Sequence, residues 1–299
     1  MPELPDVEIY RERLEARLVG RRIEGFRSGS PFLVRTFDPP IREIVGAEVR
    51  EIRRLGKRLV WALDGDLFLV MHLMIAGRLR WKKAGASPRG RGVVAVFDVP
   101  GGCVVFTEAS KKKRASLHLV RGEEALAPFD RGGLEPLAID ATAFAERVRL
   151  ERHTLKRTLT DPTLFSGIGN AYSDEILFEA RLSPVRMSTA LDDEAIERLR
   201  QATHAVLTRF TERIRAEVGD GFPDKVTAFR DDFAVHGRYK APCRVCQSPI
   251  QRIVRGDHET NYCATCQNEG RLLADRALSR LLKTDWPRTL EELEERKRT

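Results

Sequence analysis

Arg58-Leu-Val-Trp-Ala-Leu63, Asp64-Gly65-Asp66 and Leu67-Phe-Leu-Val-Met71 follow one another without a gap. The outer runs are short and dominated by aliphatic and aromatic residues, and the middle one is a turn signal, so the stretch predicts two strands with a tight connection. Val93-Val-Ala-Val-Phe97, closed by Pro100-Gly101-Gly102, repeats the arrangement. Several such runs between Arg22 and about Val120 predict a β-sandwich or barrel. Ahead of them, Leu4, Val7, Leu14 and Leu18 lie among charges at a spacing that predicts one helix with an apolar stripe. Behind them, residues 121–140 carry Gly and Pro with little periodicity and read as a linker. Ala141 to Val218 reads as helical, broken at Ser166-Gly-Ile-Gly169 and Leu182-Ser-Pro184. A cysteine module occupies 243–266. The tail, 269–299, mixes both charge signs and reads as a solvent-facing helix.

Composition sets the class. The 299 residues are 42% hydrophobic and 32% charged, which supports buried cores in more than one domain. Lys and Arg outnumber Asp and Glu by 52 to 44, for a net charge of +8, and this favours a polyanionic partner without naming it. No run approaches the ~20 apolar residues that span a bilayer, and the charged first segment is not a secretory signal. A cytoplasmic protein without a membrane partner is expected. Four of the five cysteines cluster near the end, against a disulfide framework spread over the chain.

Cys243-x-x-Cys246 and Cys263-x-x-Cys266, sixteen residues apart, have the four-thiolate spacing of a zinc ribbon. Four sulfurs complete a tetrahedron and leave no open position, so one structural Zn²⁺ is expected. Between the knuckles, Pro249-Ile-Gln-Arg-Ile-Val254 and Asn261-Tyr262 read as paired strands with Gly256-Asp257 at the turn. Such a hairpin would set Arg252, Arg255 and His258 against a phosphate backbone. Cys103 stands apart and reads as a buried packing residue.

Met1-Pro2-Glu3 admits two readings. Pro and Glu suit the first turn of a helix, and that is the commoner use of this pair. Removal of Met1 would also expose the secondary amine of Pro2, which titrates near neutrality, as α-amino groups do at ~8. Such an amine attacks a sugar carbon or aldehyde to form an iminium, and Glu3 beside it would move protons.

Five motifs occur in one order: Pro2-Glu-Leu-Pro-Asp-Val-Glu8, Gly56-Lys57-Arg-Leu59, His72-Leu73…Gly77, Gly167-Ile-Gly-Asn170-Ala-Tyr-Ser-Asp-Glu175, and the cysteine module. Together they resemble the formamidopyrimidine-DNA glycosylase/endonuclease VIII family over residues 1–267, most weakly between about 82 and 140. The resemblance implies an α+β fold: an N-terminal helix on a two-layer β-sandwich (1–135), a helix–two-turns–helix domain (136–225), a zinc finger (236–268) and a charged tail (269–299). It implies a monomer acting on double-stranded DNA that carries a damaged base or abasic site, held in a cleft between domains, in a bacterial-type cytoplasm and associated with the nucleoid. It implies base-excision repair by attack of Pro2 on C1′ of a flipped nucleotide, then strand nicking by β,δ-elimination. Glu3 would be the acid/base, and Lys57 would contact phosphate and assist catalysis. Asn170, Lys156, His72, Ile75, Arg255 and His258 are the expected DNA-binding residues.

The chain also departs from the family pattern. Asp6 replaces a Glu. His72-Leu-Met-Ile75 puts Ile75 where a Met commonly fills the void left by an extruded base. Where the family carries an Arg and a Phe on a following loop, Thr107-Glu-Ala-Ser-Lys-Lys-Lys-Arg114 has no aromatic, and His258 replaces an Arg. An imidazole does not make a guanidinium's forked phosphate contact, and Arg255 is near enough in sequence to replace it. These changes touch lesion reading rather than Pro2, Glu3, Lys57 or Asn170, so the expected outcome is retained chemistry with altered lesion preference. The competing expectation is a non-catalytic zinc protein that binds abasic or distorted DNA.

Overall fold

The computed structural model describes residues 1–298 apart from 224–225, 227–229, 257 and 274–286. The chain forms two compact units: Met1–Gly133 with Arg209–Ala228, and Leu134–Thr208 with Phe229–Thr299.

In the first unit, helix α1 (Leu4–Leu18) precedes eight antiparallel strands: β1 (Gly25–Ser28), β2 (Val49–Leu55), β3 (Arg58–Leu63), β4 (Leu67–His72), β5 (Gly77–Lys82), β6 (Val93–Val99), β7 (Gly102–Glu108) and β8 (Ser116–Arg121). They make two four-stranded sheets, β1-β6-β7-β5 and β2-β3-β4-β8. Of the sandwich or barrel that the short apolar runs predict, this is the two-layer sandwich that the family resemblance implies, with inward side chains of both sheets filling one core. Trp61 of one sheet meets Phe97 of the other with ring centroids 5.0 Å apart. Val7, Tyr10, Leu14 and Leu18 of α1 are buried in the same core. The Tyr10 hydroxyl accepts from the N–H of Leu79, which ties the helix to β5. That anchorage fixes where the chain start lies.

The linker expected at 121–140 is only partly one. Glu123–Phe129 form a 3₁₀ turn whose Leu126 is buried with Val60, Ala62, Phe68 and Val70, on the β3–β4 face turned away from the main core. Leu126 and Phe129 are too few to give a periodic signal, yet they cover an apolar sheet face.

The second unit carries α2 (Ala141–Arg149), α3 (Leu155–Thr160) and α4 (Asn170–Glu179), then the first part of α5 (Asp193–Val218). Asp140 caps α2 and Thr154 caps α3 by accepting backbone N–H bonds. The break at Ser166–Gly169 delivers the chain to the start of α4. Strands β9 (Gln251–Arg255) and β10 (His258–Tyr262) pair as the module predicts, and α6 (Ala264–Asn268) follows. Asp257, at the expected turn, lies outside the described residues. So does 274–286 of the tail; its described end forms α7 (Leu290–Arg298).

Candidate active site and zinc centre

Glu3 caps α1. Its N–H donates to the Asp6 carboxylate at 2.9 Å in a reciprocal capping box, and both residues are buried. Asp6, one methylene shorter than the Glu of the family pattern, thus binds back to the helix start. Burial pushes its carboxyl up to about 7, with the Glu3 N–H bond opposing and the charge of Glu3 adding. The amine of Met1 is lowered, chiefly by burial; Arg78 and Lys57 add to this, while Glu3 and Asp6 oppose it. The chain start therefore lies within electrostatic reach of two carboxyls and two cations. Pro2, the next residue in, is buried.

Lys57 sits in the two-residue connection of the β2–β3 hairpin. Gly56 (φ +61°) supplies the positive φ this turn needs, and Leu55 pairs with Arg58 across it. Arg58 lies opposite His72 at the end of β4. The His72 imidazole is pushed down to about 4 by burial, with Arg58, Lys57 and His118 adding repulsion, so it is neutral near pH 7. The turn after His72 is tight: the Gly77 N–H donates to the Leu73 carbonyl at 2.9 Å. A Cβ on Gly77 would lie 2.1 Å from that oxygen. The turn holds Ile75 outward, 60% exposed.

In the second unit Asn170 opens α4, and its amide donates to the Glu259 carbonyl of β10 at 2.7 Å. Lys156 donates to the Asn170 carbonyl at 2.6 Å and to the Asp174 carboxylate. Lys156 is one of the expected DNA-binding residues, and in this structure its ammonium is held by Asp174. The other Asp174 oxygen pairs with His236 Nδ1 at 2.7 Å and accepts the Asn261 N–H at 3.0 Å. Glu175 accepts the backbone N–H groups of Ala234, Val235 and His236. Burial raises its carboxyl against those three bonds. Two adjacent acids of α4 thus fasten the helix to the segment before the finger and to the hairpin. Arg255 and His258 are exposed and pair across the hairpin turn. Arg252 stacks 4.3 Å over Tyr239 and bonds Glu259, so it is less available than its neighbours.

The four sulfurs all lie within 4.8 Å of one another. Cys243 and Cys266 are 3.9 Å apart and Cys246 and Cys263 are 3.4 Å apart. A disulfide needs about 2.05 Å, whereas a tetrahedron with Zn–S bonds of ~2.3 Å has edges of about 3.8 Å. The residues fit one zinc ion. Val235 and Ile250 pack beside the thiols, and the closed donor set makes the metal structural. Cys103 is buried away from this group, as expected, with its thiol on the Lys83 carbonyl.

Sequence reasoning singled out neither Arg78, whose guanidinium bonds the Val226 carbonyl, nor the inward roles of Asp174, Glu175 and His236. Arg78 looks like any strand arginine, and the other three act through partners distant in the chain.

A capped N-terminal helix on a β-sandwich, joined to a helical unit with a four-thiolate finger, defines a class of DNA-repair fold, and comparison with known proteins gives its family. Residues 1–114 match the formamidopyrimidine-DNA glycosylase N-terminal domain, 133–218 its H2TH domain, and 241–268 the zinc finger found in FPG and IleRS. The chain belongs to the formamidopyrimidine-DNA glycosylase family. It is 34% identical over 276 residues to the formamidopyrimidine-DNA glycosylase of Herpetosiphon aurantiacus, covering 89% of this chain and 100% of that one. It is 34% identical over 277 residues to that of Thermus thermophilus, covering 90% and 100%. Among solved structures it resembles Lactococcus lactis Fpg in complex with abasic-site DNA, with a TM-score of 0.77 and 26% identity over 89% of this chain and 99% of that one. The same protein bound to DNA with an oxidized pyrimidine gives 0.77 and 27%, over 89% and 100%. Among the described residues no helix is long and apolar enough to cross a membrane.

Proposed function

We propose that this chain is a base-excision repair enzyme, a DNA glycosylase with abasic-site lyase activity that acts as a monomer on duplex DNA carrying a damaged base or abasic site. The family relationship supports the activity. One observation carries the assignment of residues: the chain start is partly buried, in the electrostatic field of Glu3, Asp6, Lys57 and Arg78, and burial holds its amine below the ordinary value. Once Met1 is removed, the Pro2 nitrogen, one residue further in, becomes the free amine of the chain.

In this reading the Pro2 nitrogen attacks C1′ of the extruded nucleotide, and the bond from C1′ to the base breaks as the N–C1′ bond forms. Glu3 moves protons for ring opening and elimination. Loss of the 3′ and then the 5′ phosphate from the iminium nicks the strand. Lys57 holds phosphate near the lesion, and His72 sits neutral beside it. Asn170 and Lys156 order the turn at the start of α4, and Arg255 and His258 meet the backbone from the hairpin that zinc keeps rigid. Ile75 enters the space the base leaves. The working division is 1–135 catalytic sandwich, 136–225 helix–two-turns–helix, 236–268 finger and 269–299 tail; its limit at 225 lies outside the described residues. The bacterial sources of the relatives support an intracellular setting, and association with the nucleoid belongs to the same proposal.

Borohydride trapping on an abasic-site duplex tests the reading. A covalent protein–DNA adduct is expected, and it should vanish when an extra residue blocks Pro2. Tight binding with no adduct, no released base and no nick would instead establish a non-catalytic binder of damaged DNA.

A further inference from the structure

Strands β4 and β5 belong to different sheets, and so do β7 and β8. Because β4 pairs with β8 (His72 opposite Ser116) and β5 with β7 (Gly77 opposite Glu108), the two crossovers between sheets are neighbours. The Ala109 N–H reaches the Ala76 carbonyl at 3.4 Å and links them. One crossover presents Ile75. The other is Ala109-Ser-Lys-Lys-Lys-Arg-Ala115, four cations with no acid and no aromatic.

This second crossover is built rather than loose. The side chain of Glu108 is buried and accepts the N–H groups of Arg114 at 2.8 Å and Ala115 at 3.2 Å. Lys113, in the left-handed region (φ +40°), returns its ammonium to the Glu108 carbonyl at 2.7 Å. The Lys112 N–H bonds Ser110 Oγ. With Glu108 turned inward, Lys111, Lys112 and Arg114 remain exposed around an exposed Ile75. The combination of an apolar prong and adjacent cations suits a duplex, in which an apolar side chain enters a base step and cations meet phosphates.

We propose that the Glu108-anchored loop 109–115 is a phosphate clamp beside the Ile75 prong, and that it reads backbone charge rather than the base opposite the lesion. The proposal rests on the DNA-repair reading above. Lysine ammoniums are point charges without a planar fork, and the loop has no ring to stack. Specificity arises from contacts to base edges, whereas phosphate contacts position the protein and make binding depend on salt. A clamp of this kind leaves the enzyme nearly indifferent to the opposite base.

The test uses full-length protein and a duplex with a tetrahydrofuran abasic analogue opposite each of the four bases, with binding measured across salt concentrations. The wild type should vary by less than about threefold among opposite bases. Lys111→Ala/Lys112→Ala/Arg114→Ala should lower the slope of log affinity against log salt by about 2–3, near 0.9 per lost contact, and leave the ranking of opposite bases unchanged. Lys111→Arg/Lys112→Arg should keep the wild-type slope. An unchanged slope in the triple variant, or a reordered opposite-base ranking, would overturn the clamp. Borohydride trapping of the wild type in parallel separates the two questions, because failure to trap removes the enzymatic reading while the salt slope still decides the loop.

Discussion

The ammonium of Lys156 is held by the carboxylate of Asp174, whose side chain is wholly buried while that of Lys156 is 14% exposed. The same carboxylate meets His236 and the backbone of Asn261, so one acid joins α3, α4, the segment before the finger and the zinc hairpin. Removing one partner of a buried pair leaves the other uncompensated, which costs about 3–5 kcal/mol.

Asp174→Asn should therefore lower unfolding free energy by about 3 kcal/mol in urea titrations, and amide exchange at Asn261 should accelerate. A loss below about 1 kcal/mol would mean that the pair does not organise this unit.

Asp6 and His72 should give opposite pH signatures. The carboxyl of Asp6 is raised to about 7 in the folded chain, against ~3.9 when unfolded. Its contribution is fully present below pH ~4 and is lost as pH rises through about 7. The imidazole of His72 is lowered to about 4, against ~6.5, so its contribution is present above ~6.5 and is lost as pH falls through about 4. Asp6→Asn, whose amide oxygen still accepts the Glu3 N–H, should gain on the wild type toward pH 8. His72→Asn should gain toward pH 4. Each difference should be on the order of 5 °C in Tm, and parallel melting curves from pH 4 to 8 would contradict both assignments.

Metal analysis should find one zinc per chain, released by strong chelators or by Cys246→Ser. Loss should weaken binding to an abasic-analogue duplex at least tenfold, on the order of 1.4 kcal/mol or more. It should leave the sandwich folded, because the thiols belong to a cluster of second-unit residues and the sandwich has a core of its own. Retention of full affinity after verified zinc loss would deny the hairpin a part in binding.

Gly77→Ala should destabilise by about 2 kcal/mol or more, because its Cβ would stand 2.1 Å from the Leu73 carbonyl and the backbone would have to move. Ile75→Ala, at an exposed tip, should change stability by less than about 0.5 kcal/mol while reducing affinity for lesion duplexes. Comparable melting losses in both variants would show that the turn is not locked at position 77.

The strands and the metal were legible because each leaves a local mark: short apolar runs between turn residues, and two CxxC knuckles. Leu126 left none, since a single buried leucine in a Gly- and Pro-containing stretch has no period. Lys156 and Asp174 are eighteen residues apart in the chain, and Asp174 and Asn261 eighty-seven. Pairings that close over such distances are set by the fold, so the bond between Lys156 and Asp174 leaves no mark in the sequence. Asp6 stands out in the sequence as a shorter acid, but its bond back to Glu3 depends on the geometry of the helix start.

The turn between β4 and β5 separates two kinds of constraint. Position 77 tolerates no side chain without backbone movement, while the Ile75 side chain is largely exposed at the tip. A descendant can therefore exchange the tip for a longer, flatter or more polar residue with little risk to viability. On the proposed role of Ile75, single changes at the tip would alter how the vacated space is filled while the turn beneath it stays as it is.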